Sequence, residues 1–167
     1  FMENQGNPTV NKKKVIKFDI QLNEEQKEGK RVILENPVTV LKGQAGSGKT
    51  LLAVQVGLDL LFNKEVSRLV ISRPTVARED VGFLPGDIKE KMDPWLAPIY
   101  ENIRMVYGAT KHKQDKIDKE LNANNIQILP FAFMRGLTLA NSFVIVDEAQ
   151  NVTQPQMETI LSRLGVG

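Results

Sequence analysis

The sequence predicts an α/β fold in which a mostly parallel sheet is covered by helices on both faces, and two observations predict it. Short apolar runs of strand length recur at 38–41, 67–72, 126–129 and 143–146. Helix-length patterns separate them, which is the arrangement that strand–helix–strand crossovers impose. Short apolar strands that alternate with helices suit a mostly parallel sheet covered on both faces.

Each element has its own signals. Residues 1–14 (FMENQGNPTVNKKK) are polar and hold no apolar stretch of the kind a signal peptide needs. Phe1 ahead of Met2 reads as a cloning remnant, and the segment as a flexible N-terminal arm before one domain over 15–167. Residues 15–20 are rich in β-branched types and predict a short strand. Asn23, followed three residues later by Gln26, is a capping-box start for a helix that stops at Asn36-Pro37. The run at 38–41 enters a glycine-rich turn, and an amphipathic pattern follows over 49–62. Arg73-Pro74 closes the strand at 67–72, because proline cannot donate to a central ladder. Beyond a loop with Gly82, Pro85 and Gly86, helices are predicted at 87–92 and 96–106 on either side of Asp93-Pro94, and a polar one at 111–121. The last helix has Thr153 as N-cap, Pro155 in its first turn, Gln156 to complete a capping box, and Met157, Ile160, Leu161 and Leu164 on one face.

Composition sets limits on the chemistry. With 167 residues, 41% of them hydrophobic, the chain can bury a core without staples, and a net charge of +2 says little about partners. There is no cysteine and a single histidine, which removes disulfides, thiolate metal sites, cysteine nucleophiles and His-rich clusters. A metal here would take oxygen ligands. The longest apolar run, 51–62, is broken by Gln55 and Asp59, so no membrane span is expected and the expected location is cytoplasmic.

GQAGSGKT (Gly43, Gln44, Ala45, Gly46, Ser47, Gly48, Lys49, Thr50) satisfies G-x-x-x-x-G-K-[ST] at every fixed position. A chance match in a chain this long is on the order of 1 in 100, which favours a phosphate-binding loop over an ordinary glycine turn. The glycines allow the backbone to turn its N–H groups inward on phosphate oxygens. Lys49 can set an ammonium against the β- and γ-phosphates of ATP, and the Thr50 hydroxyl can complete the shell of Mg2+. The helix start near Lys49 adds its positive dipole end.

FVIVDEAQ ends the apolar run at 143–146 with two adjacent carboxylates. Neighbouring residues at a strand end point to different sides, so they can take different tasks. Asp147 suits the magnesium shell, as a Walker-B aspartate, and Glu148 suits orienting and deprotonating an attacking water. Gln150 is placed to sense the γ-phosphate. A solvated turn is the plainer alternative, and the intact loop upstream weighs against it.

Several stretches together resemble the PhoH family of P-loop ATPases, which is related to the superfamily-one helicase core. They are LNEEQ (22–26), GQAGSGKT, SRP (72–74), GFLPGD (82–87), FMRG (133–136) and VDEAQN (146–151), spread from about residue 20 to the end. The resemblance implies a three-layer RecA-like P-loop NTPase that hydrolyses ATP, works on RNA or single-stranded nucleic acid, and assembles as a homo-oligomeric ring. It implies phosphate and magnesium binding by Lys49 and Thr50, a Walker-B pair at Asp147 and Glu148, and adenine recognition by Gln26, which is equally readable as a capping residue. Family members continue past the helix holding Arg163 into another strand, so the C-terminal strands are expected to be missing here.

Weaker candidates have plainer readings. Arg73 and Arg135 follow apolar strands and can meet a phosphate or form surface salt bridges. Lys111, His112, Lys113, Lys116 and Lys119 interleave with Asp115, Asp118 and Glu120, which favours a solvated helix face. Trp95 can stack a base or anchor a loop, and Met105, Met134 and Met157 suit packing. Two other readings are a nucleotide-gated oligomerisation or binding module with little turnover, and a small-molecule kinase, for which no arginine-rich lid is visible.

Overall fold

The computed structural model describes residues 12–74 and 88–163, without the side chains of 88–93. The GFLPGD stretch, Leu164 and most of the predicted N-terminal arm lie outside the described residues. Three strands form a parallel sheet in the order β2-β1-β3, with β1 at Arg68–Arg73, β2 at Ile126–Pro130 and β3 at Ser142–Val146. The register places Ile71 between Ile128 and Ile145, and Ser72 between Leu129 and Val146. The fold is therefore the expected α/β class with a parallel sheet.

Strand alternation sorts side chains to two faces. Leu69, Ile71, Ile126 and Ile145 face one way, under helices α2 (Lys49–Phe62), α3 (Ile88–Val106) and α4 (Lys111–Asn122). Val70 faces the other way, against Phe131 and Met134 of a 3-10 turn and Ile160 of helix α5 (Gln154–Leu161). These are the three layers. Helix α1 (Glu24–Glu35) lies on α2 through Ile33, Leu52 and Val56.

The helix starts follow their caps. Asn23 Oδ1 accepts from the Gln26 amide at 2.8 Å while Gln26 Oε1 accepts from the Asn23 amide at 3.0 Å. Thr153 and Gln156 do the same for α5. Ile160 is buried there but Leu161 is 42% exposed, so the apolar face is narrower than the sequence pattern suggested.

Three expectations are corrected. Residues 15–20 form no strand: Phe18 is buried among helices, the Asp19 amide donates to Val106 O at 2.9 Å, and Val15 is 96% exposed. The segment lies along helix ends, where no described strand pairs with it. Residues 38–41 form no strand and pair with no described strand, and Val38 is 49% and Val40 74% exposed. The two helices expected around Asp93-Pro94 are one, α3, running through Pro94 and Pro98. Each proline removes one helix hydrogen bond, and the buried stripe of Leu96, Ile99, Ile103 and Val106 outweighs that loss.

The lysine-rich helix is not wholly a solvated face. Lys113 Nζ meets Asp19 Oδ1 at 2.5 Å, and Lys116 Nζ sits 4.0 Å from the centre of the Phe62 ring. Asp19 also accepts from the Gly108 and Ala109 amides, so its carboxyl is held down at about 2, first by the Lys113 hydrogen bond and then by those amides.

Candidate functional site

The glycine-rich loop is exposed over 42–47 and ends in the first turn of α2. Gly46 and Gly48 have φ of +79° and +83°, a region that side chains disfavour. The conformation is thus one only glycine adopts without strain. Lys49 Nζ donates to the Gly43 carbonyl across the loop, and Ser47 N donates to Gln44 O at 3.2 Å. A Cβ on Gly48 would lie 2.7 Å from Gln26 Nε2. Gln26, which caps α1, is therefore also a neighbour of the loop, and the two readings of that residue are compatible in space.

The acidic pair arrives from the sheet. The Asp147 amide donates to Ser72 O at 2.8 Å, extending the ladder between β3 and β1 by one residue. Glu148 then turns sharply, at φ 54° and ψ 42°. For a residue with a Cβ this costs about 1–2 kcal/mol, and such strain concentrates where a side chain must be aimed. The turn separates the two carboxylates: Asp147 is 15% exposed and faces the loop, while Glu148 is 40% exposed.

Thr50 and Asp147, 97 positions apart in the chain, meet: Thr50 Oγ1 donates to Asp147 Oδ1 at 3.0 Å. Gln150 Nε2 donates to Glu148 Oε2. Of the expected site residues, Lys49, Thr50, Asp147, Glu148 and Gln150 are linked to the loop or to one another by these contacts, and Gln26 adjoins them. Arg135 is exposed at the end of its 3-10 turn and joins none of these contacts.

For Arg73, read as meeting a phosphate or forming surface salt bridges, the structure shows ion pairs, and they are with Asp147 and Glu148. Arg73 ends β1 between the two carboxylates, with Nε 3.8 Å from Asp147 Oδ2 and Nη2 3.6 Å from Glu148 Oε1. Its Nη1 donates to the Trp95 carbonyl at 3.3 Å. Only the pairing of β1 with β3 brings these residues side by side, and no local pattern announces that pairing. Trp95 itself is half-buried, and its backbone oxygen is what engages Arg73.

Two oxygen donors at 3.0 Å, Thr50 and Asp147, suit a hard cation that keeps part of its water shell. Among the described residues no group of three or more His, Cys, Asp or Glu side chains could hold a metal by itself. Among the described residues, too, no helix is long and apolar enough to cross a membrane.

A family profile described as PhoH-like protein matches residues 20–167. A PhoH-like protein of Synechocystis sp. is 43% identical over 143 residues, covering 85% of this chain and 42% of the relative. One from Bacillus subtilis is 43% identical over the same length, covering 85% and 43%. Protein PhoH of Escherichia coli K12 is 41% identical over 144 residues, covering 86% and 40%. The chain thus spans about two fifths of the length of the curated relatives it matches. Nucleotide binding in general terms accords with this P-loop family, and over nearly nine tenths of its length the chain belongs to it, as a PhoH-like protein.

Proposed function

We propose that this chain binds ATP with magnesium at residues 43–50 and hydrolyses it, in work on RNA or another single-stranded nucleic acid. The observation that carries the reading is the 3.0 Å approach of the Thr50 hydroxyl to the Asp147 carboxylate at the foot of the loop, with Glu148 next in the chain. Magnesium, when bound, would offset phosphate charge, held by Thr50 and Asp147. Lys49 leaves the Gly43 carbonyl to meet the β- and γ-phosphates, and the amides of the loop donate to phosphate oxygens. Glu148 takes a proton from the water that attacks the γ-phosphorus, the bond to the leaving β-phosphate oxygen breaks, and ADP and phosphate depart. Gln150, bonded to Glu148, keeps that carboxylate turned and contacts the γ-phosphate. Gln26, which neighbours Gly48, takes the adenine in this reading. The nucleic-acid partner rests on the helicase-like motif set, not on a surface feature.

Two substitutions test this reading. Lys49→Ala weakens nucleotide binding at least about 10- to 150-fold, since a charged hydrogen bond to phosphate contributes about 1.5–3 kcal/mol even singly. Glu148→Gln binds ATP as before and releases no phosphate. Normal turnover in the glutamine variant would refute the general-base role. Single-stranded RNA added to the unsubstituted chain raises phosphate release if the partner is nucleic acid.

A second reading has one observation in its favour. Both Glu148 oxygens are already engaged, by Arg73 and Gln150. A module that holds ATP to set an oligomeric or RNA-bound state, with little turnover, would show this. Sizing chromatography with and without ATP separates the readings: a ring that forms only with ATP, in a chain that releases little phosphate, supports the second.

A further inference from the structure

The Arg73 guanidinium meets three groups with three different nitrogens: Asp147 Oδ2 at 3.8 Å, Glu148 Oε1 at 3.6 Å, and the Trp95 carbonyl at 3.3 Å. Its side chain is 28% exposed, so water and salt screen it less than they would a surface pair. The remaining carboxylate oxygens are occupied as well, Asp147 Oδ1 by the Thr50 hydroxyl and Glu148 Oε2 by the Gln150 amide. A base must present an oxygen to the water it deprotonates. Each oxygen of the acidic pair instead has a partner supplied by the chain, Arg73 by charge at ion-pair distance and not by a hydrogen bond.

We propose that Arg73 is a resting-state clamp. It keeps Glu148 from the attacking water and opposes cation binding at Asp147 until magnesium nucleotide displaces it, and its bond to the Trp95 carbonyl passes that displacement to α3. The proposal rests on the ATP reading above. Its physical ground is charge: two cations cannot share the Asp147 carboxylate at close range without mutual repulsion. Whatever favours the cation at Thr50 and Asp147 therefore disfavours the Arg73 contact, and the same guanidinium holds Glu148 and α3. By the same linkage, a contact that draws Trp95 and α3 away would weaken the hold on Glu148.

Trp95 is the only tryptophan in the chain, so intrinsic fluorescence reports on the clamp without any need for turnover. The test compares the unsubstituted chain with Arg73→Gln and Arg73→Lys. Emission is recorded during titration with magnesium chloride alone and with ADP plus magnesium, ADP affinity is measured with and without magnesium, and phosphate release from ATP is followed. In the unsubstituted chain, ADP with magnesium shifts the emission. Arg73→Gln starts at the shifted position and moves no further. The factor by which magnesium tightens ADP binding grows about 2- to 5-fold in that variant, and phosphate release rises by a similar factor, as a partly exposed ion pair allows. Arg73→Lys keeps the charge but cannot span all three partners, so it falls between; it carries the test if the glutamine variant fails to fold. Unliganded Arg73→Gln emission identical to the unsubstituted chain, with an unchanged or smaller magnesium effect, overturns the clamp. Failure of the unsubstituted chain to bind ADP or ATP overturns the ATP reading instead, and the unliganded emission of Arg73→Gln, shifted or unshifted from that of the unsubstituted chain, then decides whether Arg73 holds Trp95.

Discussion

Gly57 decides how closely α2 lies on the sheet, and a methyl group added there would reach the site. The glycine is buried midway along α2, above β1 and β3. A Cβ would stand 2.6 Å from Leu69 Cδ1 and 3.0 and 3.3 Å from two ring carbons of Phe143. Comfortable carbon contacts lie at about 3.5–4.0 Å, so the helix must lift by roughly 1 Å or both side chains must move. Leu69 is 0% exposed and has nowhere to go. Overpacking of this kind costs about 2–3 kcal/mol, and alanine offsets up to about 1 kcal/mol of it by its better helix propensity. Gly57→Ala should therefore lose about 1–2 kcal/mol, or about 2–8 °C in Tm. Because α2 begins with Lys49 and Thr50, the same lift lengthens the 3.0 Å Thr50–Asp147 bond. Magnesium-dependent nucleotide affinity should fall with stability. Thermal melting by circular dichroism, with an ADP titration in magnesium, measures both. A variant that melts at or above the unsubstituted chain, with unchanged affinity, would show that the helix has slack at Gly57 and refute the reasoning.

Two further predictions concern single sites. Gly48→Ala forces a side chain to φ +83°, a strain of about 1–2 kcal/mol, and crowds Gln26 Nε2, whereas Gly46→Ala carries comparable strain at +79° with nothing within 4 Å. Both should melt lower by urea titration, and only Gly48→Ala should also disturb the Asn23–Gln26 cap, read as a further loss that Gln26→Ala abolishes. The Asp19 carboxyl titrates at about 2 when folded, below its usual range, so its stabilisation is fully present above about pH 4 and is lost as pH falls towards 2. Asp19→Asn should cost about 1–2 kcal/mol at pH 7, after allowance for partial solvent screening. The gap from the unsubstituted chain should close between pH 4 and 2 in urea melts; a gap that is constant with pH would assign the loss to the amide hydrogen bonds and not to the charge.

What could be read from the sequence was what is decided locally. The caps at Asn23 and Thr153 involve partners three residues apart, and the positive φ at Gly46 and Gly48 is a property of glycine in that loop, so motif and structure agree there. The turn at Glu148 and the helix through Pro94 are different. Each opposes a local preference and persists because of contacts made elsewhere: the ladder between Asp147 and Ser72 for one, the buried stripe from Leu96 to Val106 for the other. The expected strand at 38–41 shows the reverse case. Its β-branched residues suit a strand, yet β propensity describes fit to a neighbour, and no described strand lies beside it.

The candidate site divides along the same line. Lys49, Thr50, Asp147 and Glu148 stood out as residue types at telling spacings, but their meeting depends on β1 lying beside β3 in a register that sets Ser72 opposite Val146. One step further along each strand come Arg73 and Asp147, so the register that brings the acidic pair to the loop also brings a cation to the acidic pair. A slip of that register by one residue would turn Arg73 to the opposite face and leave Asp147 and Glu148 without it. The contacts among these residues and the counter-charge beside them are thus consequences of one strand pairing: local motifs could name the residues, while which carboxylates Arg73 meets follows from the register alone.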